Sequence, residues 1–365
     1  MFSSGRTVNF AQIYRIAALI ALCVGPPPAP CQSNSNTAVN PGLSSSATLN
    51  SVEALGKKLF FDRRLSTNNT ISCADCHNPA RSYADGRQVS IGINGQKLTR
   101  NAPSLLDAAD HPFLFWDGRA KTLEEQVRMP LLSPYEQGFN DEASLIGLLR
   151  ETPGYEEQFR EAFPSRFNGS SPVNMDHLTE AIAAFERTLV SGRSVFDEFL
   201  VDSQSSPMSE PARRGWELFR GRARCIQCHQ VAGHHPMFTD ETFHPSPLNR
   251  GEPSRLERLA KRLVAAHANP AQLSALITKD HQIADLGRFV VTLNPQDIGL
   301  FRTPSLRNVA HTAPYMHDGS IPTVEAAVKL EMYRRENGVQ RPLPLSPDEE
   351  SDLVEFLRAL STMQD

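Results

Sequence analysis

No stretch of this chain is long and apolar enough to span a bilayer: the longest apolar run, Ile16 to Gly25, falls short of the roughly 18–20 residues a membrane helix needs. An excess of positive charge is missing too. The 37 Lys and Arg against 41 Asp and Glu leave a formal net charge of −4, so there is no basic field to grip a phosphate backbone, and no nucleic-acid partner is expected. Strand-type alternation is short and scattered, which argues against a body organised around a large sheet. What is present is enough hydrophobic residue, 40%, to build buried cores, in a 365-residue chain whose length suits two domains.

The short apolar run has a different reading. Arg6 and Arg15 precede it and Pro26-Pro27-Pro28 stop it, the layout of a secretory signal, so residues 1–31 are expected to direct export. The Ser- and Asn-rich stretch 32–50 reads as a flexible linker, and no transmembrane span is expected in the mature chain.

Four of the six cysteines fall into two pairs, Cys73/Cys76 and Cys225/Cys228, each followed at once by a histidine, His77 and His229. Export favours disulfides, but a disulfide gives no reason for either histidine. The surroundings of the pairs repeat. EALGKKLFF leads into ISCADCHN and RRGWELFRG into RCIQCHQ, and residues 102–125 align without a gap to 303–326 at an offset of 201, pairing Pro103-Ser104-Leu105 with Pro304-Ser305-Leu306 and Asp117-Gly118 with Asp318-Gly319. Two related domains, 51–205 and 206–365, are the simplest account, with the Ser/Pro-rich residues 201–211 at the join.

Helical patterns dominate. In 346–360, Ser346 caps, Pro347 suits the first turn, Glu349 completes a capping box, and Leu353, Phe356, Leu357 and Leu360 share a face; residues 178–189 behave similarly through Ile182, Phe185 and Leu189. The second half carries an additional segment between Cys228 and Pro304 that includes a basic helix-like run, Leu256 to His267.

Two thiols three positions apart with His next suit covalent haem: each thiol adds to a vinyl group and the imidazole becomes the proximal iron ligand. Zinc needs four ligands at one ion and leaves the two histidines unexplained. Two c-type haems are therefore expected, at Cys73, Cys76, His77 and at Cys225, Cys228, His229.

At this point the chain resembles the bacterial dihaem cytochrome c peroxidase and MauG superfamily, from Leu55 to Leu360, through ISCADCH, RNAPSL, FWDGRAKTLEEQ, RCIQCH and FRTPSLRNVAHTAPYMHDGS. The resemblance implies a mainly α fold of two tandem cytochrome c-like haem domains with long loops. It also implies an N-terminal haem that reacts with hydrogen peroxide and a C-terminal haem that stores or relays electrons. Trp116 matches the aromatic that conducts between the haems, Gln126 and Pro130 match residues over the peroxidatic haem, and Glu136 matches its acid/base. A calcium ion between the domains is implied at the side chain of Asn101 and the carbonyls of Thr312 and Pro314, oxygen donors as calcium prefers. His317, opposite Trp116 in the repeat, is expected to pack near haem propionates. Partners implied are a small c-type cytochrome, a cupredoxin or a protein substrate, for a periplasmic monomer or homodimer.

Two places divide the superfamily. Where ordinary dihaem peroxidases carry a His that caps the first iron, this chain has Ile93, and no His occurs between His77 and His111, which is expected to pack ahead of FWDGR. The distal ligand of the second haem, Met in peroxidases and Tyr in MauG-like enzymes, falls at Met332 or Tyr333. A helix through Val324 and Val328 carries Met332 on the same face, while the MYRR ending resembles MauG-like relatives and favours Tyr333. A thioether stabilises ferrous iron and suits a peroxidase fed by a cytochrome; a phenolate stabilises higher-valent iron and suits an enzyme that oxidises a partner protein. The leading expectation is a MauG-like dihaem peroxidase, against an ordinary cytochrome c peroxidase and a non-catalytic dihaem electron carrier. Gln126 and Glu136 argue against the carrier, which has no need of an acid/base.

Overall fold

In the computed structural model, residues 50–164, 171–248, 253–336, 339–342 and 345–362 are described. The expected signal, 1–31, lies outside them, as does the expected linker 32–50 except for its last residue, Asn50, which caps the first helix rather than belonging to a flexible tether. Among the described residues no helix is long and apolar enough to cross a membrane.

Each CxxCH is preceded by a helix that crosses another at a glycine. Helix Ser51–Phe60 starts at Asn50, which with Glu53 forms a capping box, and buries Leu55, Gly56, Leu59 and Phe60. A Cβ on Gly56 would stand 1.7 Å from the carbonyl oxygen of Ala181, in helix Met175–Glu186. In the second half, helix Glu210–Arg220 crosses helix Pro347–Arg358 at Gly215, where a Cβ would stand 1.9 Å from the carbonyl oxygen of Asp352. The repeated Leu-Phe follows each crossing glycine by the same spacing, and each Phe meets an aromatic of the partner helix: Phe60 and Phe185 at 5.2 Å, Phe219 and Phe356 at 4.9 Å. A side chain at either glycine must push two helices apart. Gly56→Ala and Gly215→Ala should each destabilise the holoprotein by about 1–3 kcal/mol, the usual cost of overpacking, read as a lowered thermal midpoint.

One core draws on residues between Leu55 and Leu189, another on residues between Phe196 and Leu360. The capping box at Ser346 and Glu349 opens helix Pro347–Arg358 as the sequence predicts. The pattern over 178–189 is shifted: the helix begins at Met175, where Asn174 caps it, and ends at Glu186, so Leu189 enters the core from the turn beyond. Residues 202–209 link helices Val195–Val201 and Glu210–Arg220. The guanidinium of Arg213 gathers this loop by donating to the carbonyls of Ser203, Ser206 and Met208.

The additional segment forms helices Pro253–Ala265 and Pro270–Ile277 over a small core of their own that includes Leu256, Leu273, Ile277 and Phe289. It is tied to the first half through Thr99, whose hydroxyl donates to the carbonyl of Ile277, and Arg100, which donates to that of Ala284. Strands are few and short among the described residues. Phe243–Pro245 pairs antiparallel with Leu300–Arg302, and Tyr333–Glu336 with Val339–Pro342.

Candidate active site

The two CxxCH segments present their side chains to two separate cavities. Ser72 and Asp75 cap the turn Cys73–Cys76, and the His77 amide donates to the carbonyl of Cys73 at 2.9 Å; the His229 amide makes the same 2.9 Å bond to Cys225. Each imidazole points Nδ1 at a carbonyl, Tyr83 at 3.0 Å for His77 and Phe238 at 2.8 Å for His229. A carbonyl only accepts, so the proton sits on Nδ1 and the Nε2 lone pair is left for a metal, the arrangement second-shell carbonyls impose on ligating histidines. Burial pushes the pKa of both imidazoles down, which keeps that lone pair available. None of these four cysteines is joined in a disulfide.

The first cavity is lined by Cys73, Cys76, His77 and, from other elements, Trp116, Gln126, Pro130 and Glu136; the second by Cys225, Cys228, His229, His317 and Met332. Each cavity runs from its cysteines and histidine along a mostly apolar wall, the surroundings that a porphyrin anchored at those thiols requires. The cavities share the wall segment Asn101–Ser104, together with Trp116 and Arg302. The Trp116 indole donates to the carbonyl of Asn101 at 2.9 Å, and its own carbonyl accepts from Arg302 at 2.9 Å. Trp116 is thus held by hydrogen bonds in the partition between the two sites.

Helix Leu123–Leu131, capped by Thr122, carries Gln126 and Pro130 into the first cavity. The Gln126 carboxamide oxygen is buried without a hydrogen-bond partner, as is that of Gln137. Orphaned acceptors of this kind mark a place where a ligand or solvent completes the site. The turn after the helix holds Glu136, whose amide donates to the carbonyl and the hydroxyl of Ser133 at 3.2 and 3.3 Å. Burial pushes the Glu136 carboxyl up, while Arg119 and the Ser133 hydroxyl pull the other way. Arg119 is itself fixed by Asp117, at 2.9 and 3.0 Å, and stacks on the Phe115 ring. Ile93 is pinned beneath the same turn, its amide donating to the carbonyls of Tyr135 and Glu136, and its apolar side chain is buried.

Helix Val324–Glu331 lines the second cavity with Val324, Ala327, Val328 and Glu331, and Met332, just past its end, is buried there. The side chain of Tyr333 lies outside the described residues. His317 stacks on Phe301 at 3.9 Å and pairs with Asp285 at 3.6 Å. Asn101 is buried, with its amide nitrogen donating to Arg87 and Gln88, while Thr312 and Pro314 line the second cavity beside it. His111 is buried as expected but also lines the first cavity, where Nδ1 meets Glu241 at 2.6 Å and Arg302 at 3.3 Å.

Sequence reasoning passed over Arg119, Arg302 and Glu186, all on the wall of the first cavity. A signal existed for Glu186: it stands four residues after Ile182, on the apolar stripe of its helix.

Two helical halves, each closing a CxxCH-bearing cavity, with one aromatic in the wall between them, define a dihaem c-type peroxidase architecture. The comparisons agree. Residues 50–205 match the family described as di-haem cytochrome c peroxidase. The methylamine utilization protein MauG of Methylorubrum extorquens is 35% identical over 315 residues, 84% of this chain and 77% of that one. The cytochrome-c peroxidase IdrP1 of Denitromonas iodatirespirans is 36% identical over 321 residues, 84% of this chain and 81% of its own. Among solved structures, a MauG-like protein associated with microbial copper homeostasis superposes with a TM-score of 0.67 at 32% identity, over 86% of this chain and 90% of that one. The chain belongs to the di-haem cytochrome c peroxidase family, and it is a peroxidase that carries two haem c groups.

Proposed function

We propose that this protein uses hydrogen peroxide to oxidise a protein partner, with a first site that stays open in the fully oxidised state, as in MauG-like enzymes. What supports the reading is the first cavity: Gln126 and Glu136 line it together with His77, and Ile93, where the resemblance puts the capping His of ordinary dihaem peroxidases, is held under the Glu136 turn. Cys73, Cys76 and His77 would hold the first haem, and Cys225, Cys228 and His229 the second. When bound there, a haem would supply an iron site for peroxide and the capacity to take up two oxidising equivalents. Glu136 takes the proton from the near oxygen of the peroxide and delivers it to the far oxygen, which leaves as water. Gln126, with its free carboxamide oxygen, orients the bound peroxide. Trp116 lies where electrons cross from the second site.

Two measurements test this. A pyridine haemochrome assay should give two haems per chain, neither extracted by acid-acetone; one haem per chain sinks the assignment. Stopped-flow mixing of the fully ferric protein with peroxide should show reaction without prior reduction, from a resting spectrum containing high-spin haem. A wholly low-spin protein, reactive only when half-reduced, would point to a cap on the first iron, with His111 the first suspect.

The ordinary cytochrome c peroxidase reading draws on one observation, the burial of Met332 in the second cavity, which suits a high-potential haem fed by a small cytochrome or cupredoxin. Met332→Leu and Tyr333→Phe separate the two: only loss of the true ligand turns the second haem high-spin. Calcium at Asn101, Thr312 and Pro314 belongs to the same proposal, since these offer uncharged oxygens, as does export to the periplasm by residues 1–31.

A further inference from the structure

The first cavity holds a second buried carboxyl, for which the proton transfers of Glu136 have no use. Glu186 ends helix Met175–Glu186, is 4% exposed, and lines the cavity with Cys73 and Gln126. Its Oε2 has no hydrogen-bond partner. Leaving a carboxyl oxygen buried and unpaired costs a protein about 1–3 kcal/mol or more, so its persistence on the wall of a working cavity asks for a use.

Two charged groups approach Glu186 from behind, Arg187 and Glu124, paired with each other at 2.7 Å on the half-exposed surface where helices Met175–Glu186 and Leu123–Leu131 meet. The other charged or titratable side chains lining the cavity are Arg100, Arg119, Arg302, His111 and Glu136, besides His77. Cys73 and Cys76 do not titrate once their sulfurs are thioethers. Burial pushes the Glu186 carboxyl up to about 8, with Arg187 opposing and Glu124 adding to the effect. With no charged group bound in the cavity, burial therefore favours its acid form at neutral pH.

A ferric haem changes this balance. Iron's three positive charges against the porphyrin's two negative ones leave a net charge of +1, which one-electron reduction cancels. In a space of low dielectric, that charge is a strong attraction for a carboxylate. We propose that Glu186 is the redox-linked proton site of the first cavity: its carboxyl is ionised while the cavity holds ferric haem, and takes one proton from solvent as the cavity gains one electron from the protein donor. The balance is one electron and one proton in, one O–H bond formed on Glu186, and no change in the net charge of the cavity.

The inference rests on the haem assignment above, and the test keeps the two apart. The holoprotein is titrated spectroelectrochemically between about pH 6 and 9, with haem content measured on the same sample. The midpoint of the open, high-spin haem should fall as pH rises toward about 8, by up to one tenfold step in the one-electron equilibrium per pH unit, and level off above. In Glu186→Gln it should stay at the acid plateau throughout. The reduced-minus-oxidised infrared spectrum of the wild-type protein should gain a carboxylic-acid C=O band that Glu136→Gln keeps and Glu186→Gln loses. The proposal is overturned by a pH slope that survives in Glu186→Gln with both haems bound, or by a wild-type protein that shows neither slope nor band. One haem per chain overturns the cofactor assignment and this inference with it.

Discussion

Glu136→Gln will keep both haems and slow the reaction of the ferric protein with peroxide by about 10²–10⁴, the range over which positioned acid/base groups act. Gln preserves the shape of the side chain and its place over Ser133, but has no proton to exchange. The pH profile provides a second readout. Burial raises the Glu136 carboxyl above its ordinary value, with Arg119 and Ser133 limiting the rise. The wild-type rate should therefore fall with acid on a limb displaced above the usual carboxylate range, because the base form is what accepts the first proton. That limb should be missing in the Gln variant. Unchanged kinetics would make Glu136 a turn residue and leave the proton transfers without an agent.

Arg307→Ala will unfold the protein more readily than any change to an exposed ion pair. Arg307 is 5% exposed and joins segments far apart in the chain: Nη1 and Nη2 meet the carboxylate of Asp197 at 3.0 and 2.7 Å, Nε donates to the Ser191 hydroxyl at 2.7 Å, and Nη2 donates to the carbonyl of Gly192 at 2.9 Å. Asp107 lies 4.0 Å from Nε and is bound by the Ser191 amide. Removing the guanidinium takes from Asp197, and from Asp107 beside it, the cation that balances their buried charge and leaves only neutral donors at Ser194 and Ser191, at a cost of about 3–5 kcal/mol. At neutral pH the thermal midpoint should drop by on the order of 10 °C. Burial by itself would raise the Asp197 carboxyl, yet Arg307 and Ser194 hold it below its ordinary value. Such a group stabilises the fold above its unfolded pKa and loses that contribution as pH falls through the folded one. The gap between wild type and variant should therefore narrow in acid. A drop of a degree or two, unchanged with pH, would show that the network contributes nothing net.

Met332 shows how far spacing reaches. The period of a helix through Val324 and Val328 places it on the cavity face, and it is buried there although the helix ends at Glu331. Arg307 is the opposite case. It faces Leu106 in the internal repeat, and that mismatch announces a difference between the halves without saying what the charge is for. Its partner Asp197 lies 110 residues away.

The sequence by itself determined what is local: the two CxxCH segments, the cap at Ser346, the helical faces, and the repeat that doubles them. These depend on hydrogen bonds and covalent chemistry between residues a few positions apart, which any reading of spacing captures. Tertiary structure alone decided which polar groups lose their water. Glu186 became a cavity carboxyl because helices Met175–Glu186 and Leu123–Leu131 close over it, Trp116 entered the partition because Asn101 and Arg302 hold it there, and Glu241 met His111 across 130 residues. Desolvation sums over every element packed around a group, so it has no signature in the few residues on either side of it.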